Sequence, residues 1–194
     1  MARTQAADYD AKRETITAKA AELFAEKGFS GASIADLADR CQVSKSLIYH
    51  YYSSKEAILF DVMNEHIDDL LAVVEETLSR AASPREQLRD VSRALLQRYV
   101  GASGHQKVLL YELGSLPDDL KKEIVGKQRK IISSVESILA EIDRKNAKNK
   151  HVLRAKVMLF FGMLNWTDTW YKPRGSITRD EIADMAAAIL LSST

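Results

Sequence analysis

An all-α fold is predicted by three features of the sequence. Apolar residues recur at three- and four-residue spacing through most of the chain. No segment sustains the every-other-residue alternation of a half-buried strand. Only 3 Pro and 8 Gly punctuate 194 residues, too few for the frequent turns of an all-β sandwich. A hydrophobic share of 46% and a charged share of 28% belong to a folding chain rather than a disordered one. The length suffices for one large domain or two small ones. No internal repeat of about 20 to 50 residues is present, which disfavours a solenoid.

The elements follow in order. A first helix is predicted from about Tyr9 to Lys27, with Ile16, Ala20, Leu23, Phe24 and Lys27 at helical spacing; Gly28 stops it where a left-handed residue belongs. A second opens at Ser33, which with Asp36 three residues on forms a capping box, and ends near Cys41. A third opens at Ser44 and carries Leu47, Ile48 and Tyr51. A fourth opens at Ser54 and keeps Ile58, Leu59, Val62, Met63, Ile67 and Leu70 on one stripe. Within it, Glu65–His66 and Asp68–Asp69 read as a solvated face. Pro84 suits the first position of a fifth helix capped by Ser83. The stretch from Gly101 to Gly104 breaks the pattern, and a short apolar piece follows through Leu109, Leu110 and Leu113. Pro117 restarts a long helix through Ile124, Ile131, Val135 and Leu139. Asp143 to Lys150 reads as a polar loop. Another long helix spans about His151 to Tyr171, stopped by Pro173 and Gly175, and the last spans about Thr178 to Leu191.

Those last two helices are apolar on more than one side. Val157, Met158, Leu159, Phe160, Phe161, Met163, Leu164, Trp166 and Trp170 surround the first of them, and Ile182, Met185, Ala186, Ile189 and Leu190 do so for the second. A helix apolar all round must bury more than one face. Pairing with a second copy of the chain satisfies this; a central helix in a monomeric bundle is the other solution.

The segment from Ser33 to Lys55 reads SIADLADRCQVSKSLIYHYYSSK. Two short helices meet at a turn at Gln42–Val43. Small Ala38 permits close approach, and Leu37, Cys41, Val43 and Ile48 are spaced to fill the wedge. This is helix-turn-helix spacing, in which the second helix enters a major groove N-terminal end first. That helix offers Ser44, Lys45, Ser46, Tyr49, His50 and Tyr51 as hydrogen-bonding groups, while Tyr52 reads as core. Lys45 reaches guanine acceptors and Ser46 either kind of base. Tyr49, Tyr51 and Lys55 are placed for phosphates, and the helix starts at Ser33 and Ser54 add backbone N–H groups. The same spacing also arises in helical proteins that bind no nucleic acid.

The stretch AAELFAEKGFSGASIADLADRCQVSKSLIYHYYSSKEAIL resembles the DNA-binding domain of TetR-type transcriptional repressors. The shared features are the Phe-x-x-x-Gly-Phe link, the Ser-opened second helix, the Val-Ser-Lys start and the Tyr-His-Tyr-aromatic end. Gln42 and Ser46 depart from it, standing where the family often has Gly. The resemblance implies that Lys45, Ser46 and Tyr49 read bases, and that Ser33, His50, Tyr51 and Lys55 hold the DNA backbone, with Ser44 opening the helix. It further implies an N-terminal three-helix helix-turn-helix domain over residues 1–54. A helical effector-binding and dimerisation domain would follow over residues 55–194. The last two helices would form a homodimer interface, and the target would be a palindromic double-stranded operator. An effector would change the spacing of the two reading helices, with the helix after Ser54 as transmitter.

The segment NWTDTWYKPRGSIT is similar to that of TetR-type regulators of fatty-acid, phenylacetate and sterol-ring catabolism, which respond to acyl-CoA thioesters. An acyl chain needs an apolar tunnel, for which Tyr99, Tyr111, Phe161, Trp166 and Trp170 are candidates, with Asn165 and Asp168 as polar groups in need of partners. The phosphates need cations. Net charge is only +1, but residues 121–174 carry 13 Lys/Arg against 5 Asp/Glu, a net +8 that includes Lys121, Lys122, Lys127, Arg129 and Lys130. A solvated lysine-rich surface accounts for the same charge. A drug-like effector for an efflux-pump repressor is the alternative ligand, and a helical adaptor without DNA binding is the alternative class.

Other chemistry finds little support. The four histidines (His50, His66, His105, His151) have no metal-ligand spacing, no Gly-rich phosphate loop is present, and no cofactor is implied. Cys41, the single cysteine, gives no disulfide framework and falls in the helix-turn-helix wedge rather than a nucleophile's setting. Met1 to Asp10 lacks the apolar core of a signal peptide, and the run Val157 to Leu164 is too short to span a membrane, so a cytoplasmic protein is expected.

Overall fold

The computed structural model describes residues 2–172 and 174–192, with side chains from Tyr9 onward. These residues are all-helical: α1 (Ala2–Lys27), α2 (Ile34–Cys41), α3 (Lys45–Tyr51), α4 (Lys55–Leu78), α5 (Pro84–Gly101), α6 (Ser103–Tyr111), a short 3-10 turn (Leu113–Ser115), α7 (Asp118–Ile142), α8 (Lys150–Trp170) and α9 (Arg179–Ser192). The first helix starts seven residues before the predicted Tyr9, because the polar run before it still has ordinary helix formers and no Pro or Gly to stop it. The break expected over Gly101 to Gly104 is shorter, since α5 runs to Gly101 and α6 opens at Ser103 with Gly104 inside it; the apolar piece ends at Tyr111, and Leu113 falls in the 3-10 turn. The predicted stop at Pro173 lies outside the described residues.

Local chemistry sets the helix ends. Gly28 follows α1 with φ +73°, and its amide donates to the Phe24 carbonyl at 2.9 Å. Ser83 caps α5 in a full capping box with Glu86, and Pro84 takes the first position. The Glu86 carboxyl is held below its usual range by the Ser83 hydroxyl, then by the Ser83 amide. Asn149 caps α8 by accepting from the Val152 amide at 3.2 Å.

The chain divides into two compact units: residues 1–67 with 104–125, and residues 68–103 with 126–194. In the first, α1 packs on α2 and α2 on α3. Its core holds Ile16, Ala20, Leu23, Phe24, Leu37, Ile48, Ile58 and Leu59. Burial of each large aliphatic side chain contributes about 1.5–3 kcal/mol. Gly104 brings α6 close to α1, since a Cβ there would meet the Ala21 backbone at 3.4 Å. On the face expected to be solvated, Glu65, Asp68 and Asp69 are exposed and only His66 departs from the expectation. His66 is buried, and its Nε2 lies 2.7 Å from Gln106 Oε1 on α6. The expectation fails at His66 because α6 covers α4 there, and a covering helix is invisible in the local pattern.

In the second unit α9 packs on α5 and α8, and α8 packs on α5. Arg93 on α5 grips Asp184 on α9 through both carboxylate oxygens, at 2.7 and 2.5 Å. Asp143 is buried at the end of α7, where it accepts from Lys156 at 2.6 Å and from Asn146. Among the described residues no buried side-chain N or O lacks a partner. No helix among them is long and apolar enough to cross a membrane.

Candidate nucleic-acid interface

The α2–α3 corner is built from its caps. Ser33 is extended (φ −115°, ψ 159°), accepts from the Asp36 amide at 3.1 Å, and returns its own amide and hydroxyl to Asp36 Oδ2. Lys27, then the Ser33 hydroxyl and amide, hold the Asp36 carboxyl far below its ordinary value. Gln42 closes α2 in the left-handed region (φ 56°, ψ 43°), and the Val43 amide reaches back to the Ala38 carbonyl at 2.9 Å. The left-handed conformation that favours glycine is therefore held by a residue that carries a Cβ. Ser44, extended at φ −76°, caps α3 by accepting from the Leu47 amide at 3.2 Å. Inside the corner Leu37, Ala38 and Ile48 are buried, while Cys41 and Val43 are half-buried. Burial pushes the Cys41 thiol up, away from the lowered range of a reactive thiolate.

One side of α3 is open to solvent. Ser44, Lys45, Ser46 and His50 are exposed, Tyr49 is 55% exposed, and Tyr51 is half-buried. The rings at the C-terminal end form a cluster: Tyr51 lies 5.3 Å from His50 and 4.7 Å from Tyr9 of α1. Capping occupies only acceptor capacity on Ser44, whose hydroxyl proton stays available. Two predicted backbone contacts have internal duties instead. The Ser33 hydroxyl proton is committed to Asp36. The Lys55 ammonium donates to the carbonyls of Phe29 at 2.8 Å and Ala32 at 2.9 Å, over the Phe29 ring, which leaves one of its three protons.

A brace that spacing alone does not disclose sits behind α3. Arg13 of α1 donates to the Tyr52 hydroxyl at 3.2 Å and to Asp61 Oδ2 of α4 at 2.9 Å, with a second, shorter contact to the same oxygen. Tyr52 is buried as predicted, with its hydroxyl satisfied. The bonds to Tyr52 and then Asp61 raise the Arg13 guanidinium further, and burial raises the Tyr52 phenol. The available signal was an Arg one turn ahead of the first core position Ile16, a place where a solvated residue is the default.

The predicted effector residues scatter. Tyr99 and Phe161 are buried in the second unit, Phe161 edge-on to Phe160 at 5.5 Å, and Asn165 is half-buried. Arg129 is exposed. Tyr111 is 60% exposed and belongs to the first unit, where it lines a 180 Å³ recess with Phe24, Gly28 and Lys107. Trp166 and Trp170 do not line a tunnel; both are exposed on α8. The reason is helical phase: Leu153, Val157, Phe160, Leu164 and Thr167 face the core, and residue 166 lies roughly 200° around from 164. A cleft of about 720 Å³ in the second unit is lined by other, largely charged groups, among them Glu76, Arg80, Asp90, Arg93, Arg98 and Asp180.

A capped two-turn helix with a polar exposed side, set on a tight corner, defines a helix-turn-helix DNA-binding protein. Comparison with known proteins narrows that class. Residues 16–62 match the model for bacterial regulatory proteins of the tetR family, and residues 81–194 match the tetracyclin repressor-like C-terminal domain. The chain belongs to the TetR family of transcriptional regulators, which are DNA-binding proteins and not enzymes. A TetR-family regulator from Bordetella parapertussis is similar in structure, with a TM-score of 0.89 and 37% identity over 92% of this chain and 93% of that one. AibR, solved in complex with isovaleryl coenzyme A and operator DNA, has a TM-score of 0.81 and 26% identity over 93% of this chain and 98% of its own. The HTH-type transcriptional repressor KstR2 of Mycolicibacterium smegmatis is 26% identical over 187 residues, 93% of this chain and 89% of that protein.

Proposed function

We propose that the chain is a cytoplasmic repressor that binds a palindromic operator as a homodimer and is released by an acyl-CoA thioester. The observation that carries the DNA-binding part is the exposed side of α3, where Lys45, Ser46 and Tyr49 stand free of the core behind the Ser44 cap. In this reading those three meet base edges, while His50, Tyr51 and the Ser44 hydroxyl meet phosphates. Ser33 and Lys55 hold the corner in shape, and the remaining Lys55 proton serves a phosphate. The functional division stays at residues 1–54 for DNA and 55–194 for effector and dimer.

The dimer is supported by the outer faces of α8 and α9. Leu159 is 73% exposed, Trp166 62% and Ile189 57%, with Met158, Trp170 and Met185 also open. Gly162 leaves open space in the middle of that face, so a second helix can approach closely. So large an apolar surface calls for a partner, and a two-fold pairing of the same face closes on itself.

The thioester is supported by the likeness to AibR, which was solved with isovaleryl coenzyme A. Tyr99, Phe161 and Asn165 are the retained pocket candidates, and Arg129 the retained cation. A thioester that prefers the DNA-incompetent spacing weakens binding by about 1–3 kcal/mol, or roughly 5- to 150-fold. α4 is one continuous helix with residues in both compact units and is the proposed transmitter.

Titration of the parent chain against its own promoter region tests the first part. Specific binding whose affinity falls steeply with salt is expected; binding to no duplex would favour the adaptor reading. Adding medium-chain, long-chain or aromatic acyl-CoA should release the DNA while the free acid does not. Equal release by the free acid would remove the thioester from the proposal.

A further inference from the structure

Tyr9 and Arg13 lie four residues apart on α1, so their side chains leave the same face of the helix. Both meet the C-terminal end of α3. The Tyr9 ring lies 4.7 Å from Tyr51 and, edge-on, 6.5 Å from His50. Arg13 donates to the hydroxyl of Tyr52, the residue that closes α3, and to Asp61 one helix on. The aromatic contact does not close a core, because Tyr9 and His50 are exposed and Tyr51 is half-buried.

We infer that this face of α1 belongs to the DNA interface as a positioning surface: the Tyr9 ring sets the side chains of Tyr51 and His50 for phosphate contact, and Arg13 fixes the end of α3 on which they stand. The inference rests on the DNA-binding reading above. On a two-turn helix, exposed Tyr and His side chains sample several rotamers, and each must be ordered when DNA binds. A ring stacked against them orders them beforehand. Tyr9 is a positioning residue and makes no base contact, so its effect is the same for every sequence.

The test is a double-mutant cycle on a duplex selected by the parent chain, with an unrelated duplex alongside and circular dichroism as the check on folding. Tyr9→Ala should weaken binding to both duplexes by the same factor, about three- to tenfold. In a Tyr51→Ala background the same substitution should cost less than about twofold, since the nearer of the two groups it positions is gone. Tyr9→Phe, which keeps the ring, should restore affinity. The inference is overturned if Tyr9→Ala binds like the parent, if the losses of Tyr9→Ala and Tyr51→Ala simply add, or if Tyr9→Phe loses as much as Tyr9→Ala, which would indicate a direct hydroxyl contact. A parent chain that binds neither duplex overturns the DNA-binding reading itself, and that failure is seen before any variant is made.

Discussion

Lys45 and Tyr51 stand about two turns apart on α3, and the proposed roles of the two differ. An ammonium at a base edge discriminates between bases, so Lys45→Ala should lower operator affinity by about 1–3 kcal/mol and relax preference at one position per half-site. Selection from a randomised duplex pool checks this, and an unchanged logo with unchanged affinity would contradict the placement. A phenol on a phosphate carries no sequence information, so Tyr51→Phe should weaken operator and unrelated duplexes alike; a loss confined to the operator would contradict it. Away from DNA, Asp143 is a residue-scale probe of the second unit. Lys156 first, then Asn146, hold its carboxyl below the ordinary value of about 3.9. A depressed folded value means that the contribution is whole above about pH 4 and is lost as pH falls through the folded value. The stability difference between parent and Asp143→Asn should therefore be constant near neutrality and shrink below about pH 4. A difference independent of pH would show that the charge on Asp143 contributes nothing.

At the scale of elements, what could be read from sequence was what the chain decides within a few residues. Ser33, Ser44, Ser83 and Gly28 were legible as helix ends because a cap needs only its own turn. The exposed residues of α3 were legible for the same reason. Elements whose fate depends on distant neighbours were not. His66 looked solvated because nothing near it announces that α6 lies over it. Trp166 and Trp170 looked like pocket lining because periodicity marks a face as apolar without saying whether the chain's own core or another surface meets it. The role of Arg13 has no local signal, because its partners are 39 and 48 residues away. Gln42 is the intermediate case: the turn was legible, while the left-handed backbone appears only in the structure. Replacing it with Gly removes a left-handed strain of about 1–2 kcal/mol and adds unfolded-state freedom of about 0.4–1 kcal/mol. Gln42→Gly should therefore raise the denaturant midpoint modestly with no change in slope. A lower midpoint would mean that the exposed Gln42 side chain makes a contribution the geometry does not display.

For the whole molecule, the proposed homodimer gives the apolar outer face of α8 and α9 and the polar side of α3 complementary roles. A single two-turn helix reads too few base pairs for useful specificity; two helices held at a fixed separation read a palindrome. Leu159→Glu places two like charges in the proposed seam and should leave a folded monomer whose operator affinity collapses with its dimerisation. Sedimentation that still finds dimers would move the interface elsewhere. Footprinting of the parent chain on its selected duplex tests the paired reading of a palindrome. Two protected half-sites related by a two-fold axis are expected, with centres about 34–36 Å apart or a multiple of that, and two chains bound per duplex. A single protected half-site at saturation, or no protection at low salt, would contradict it.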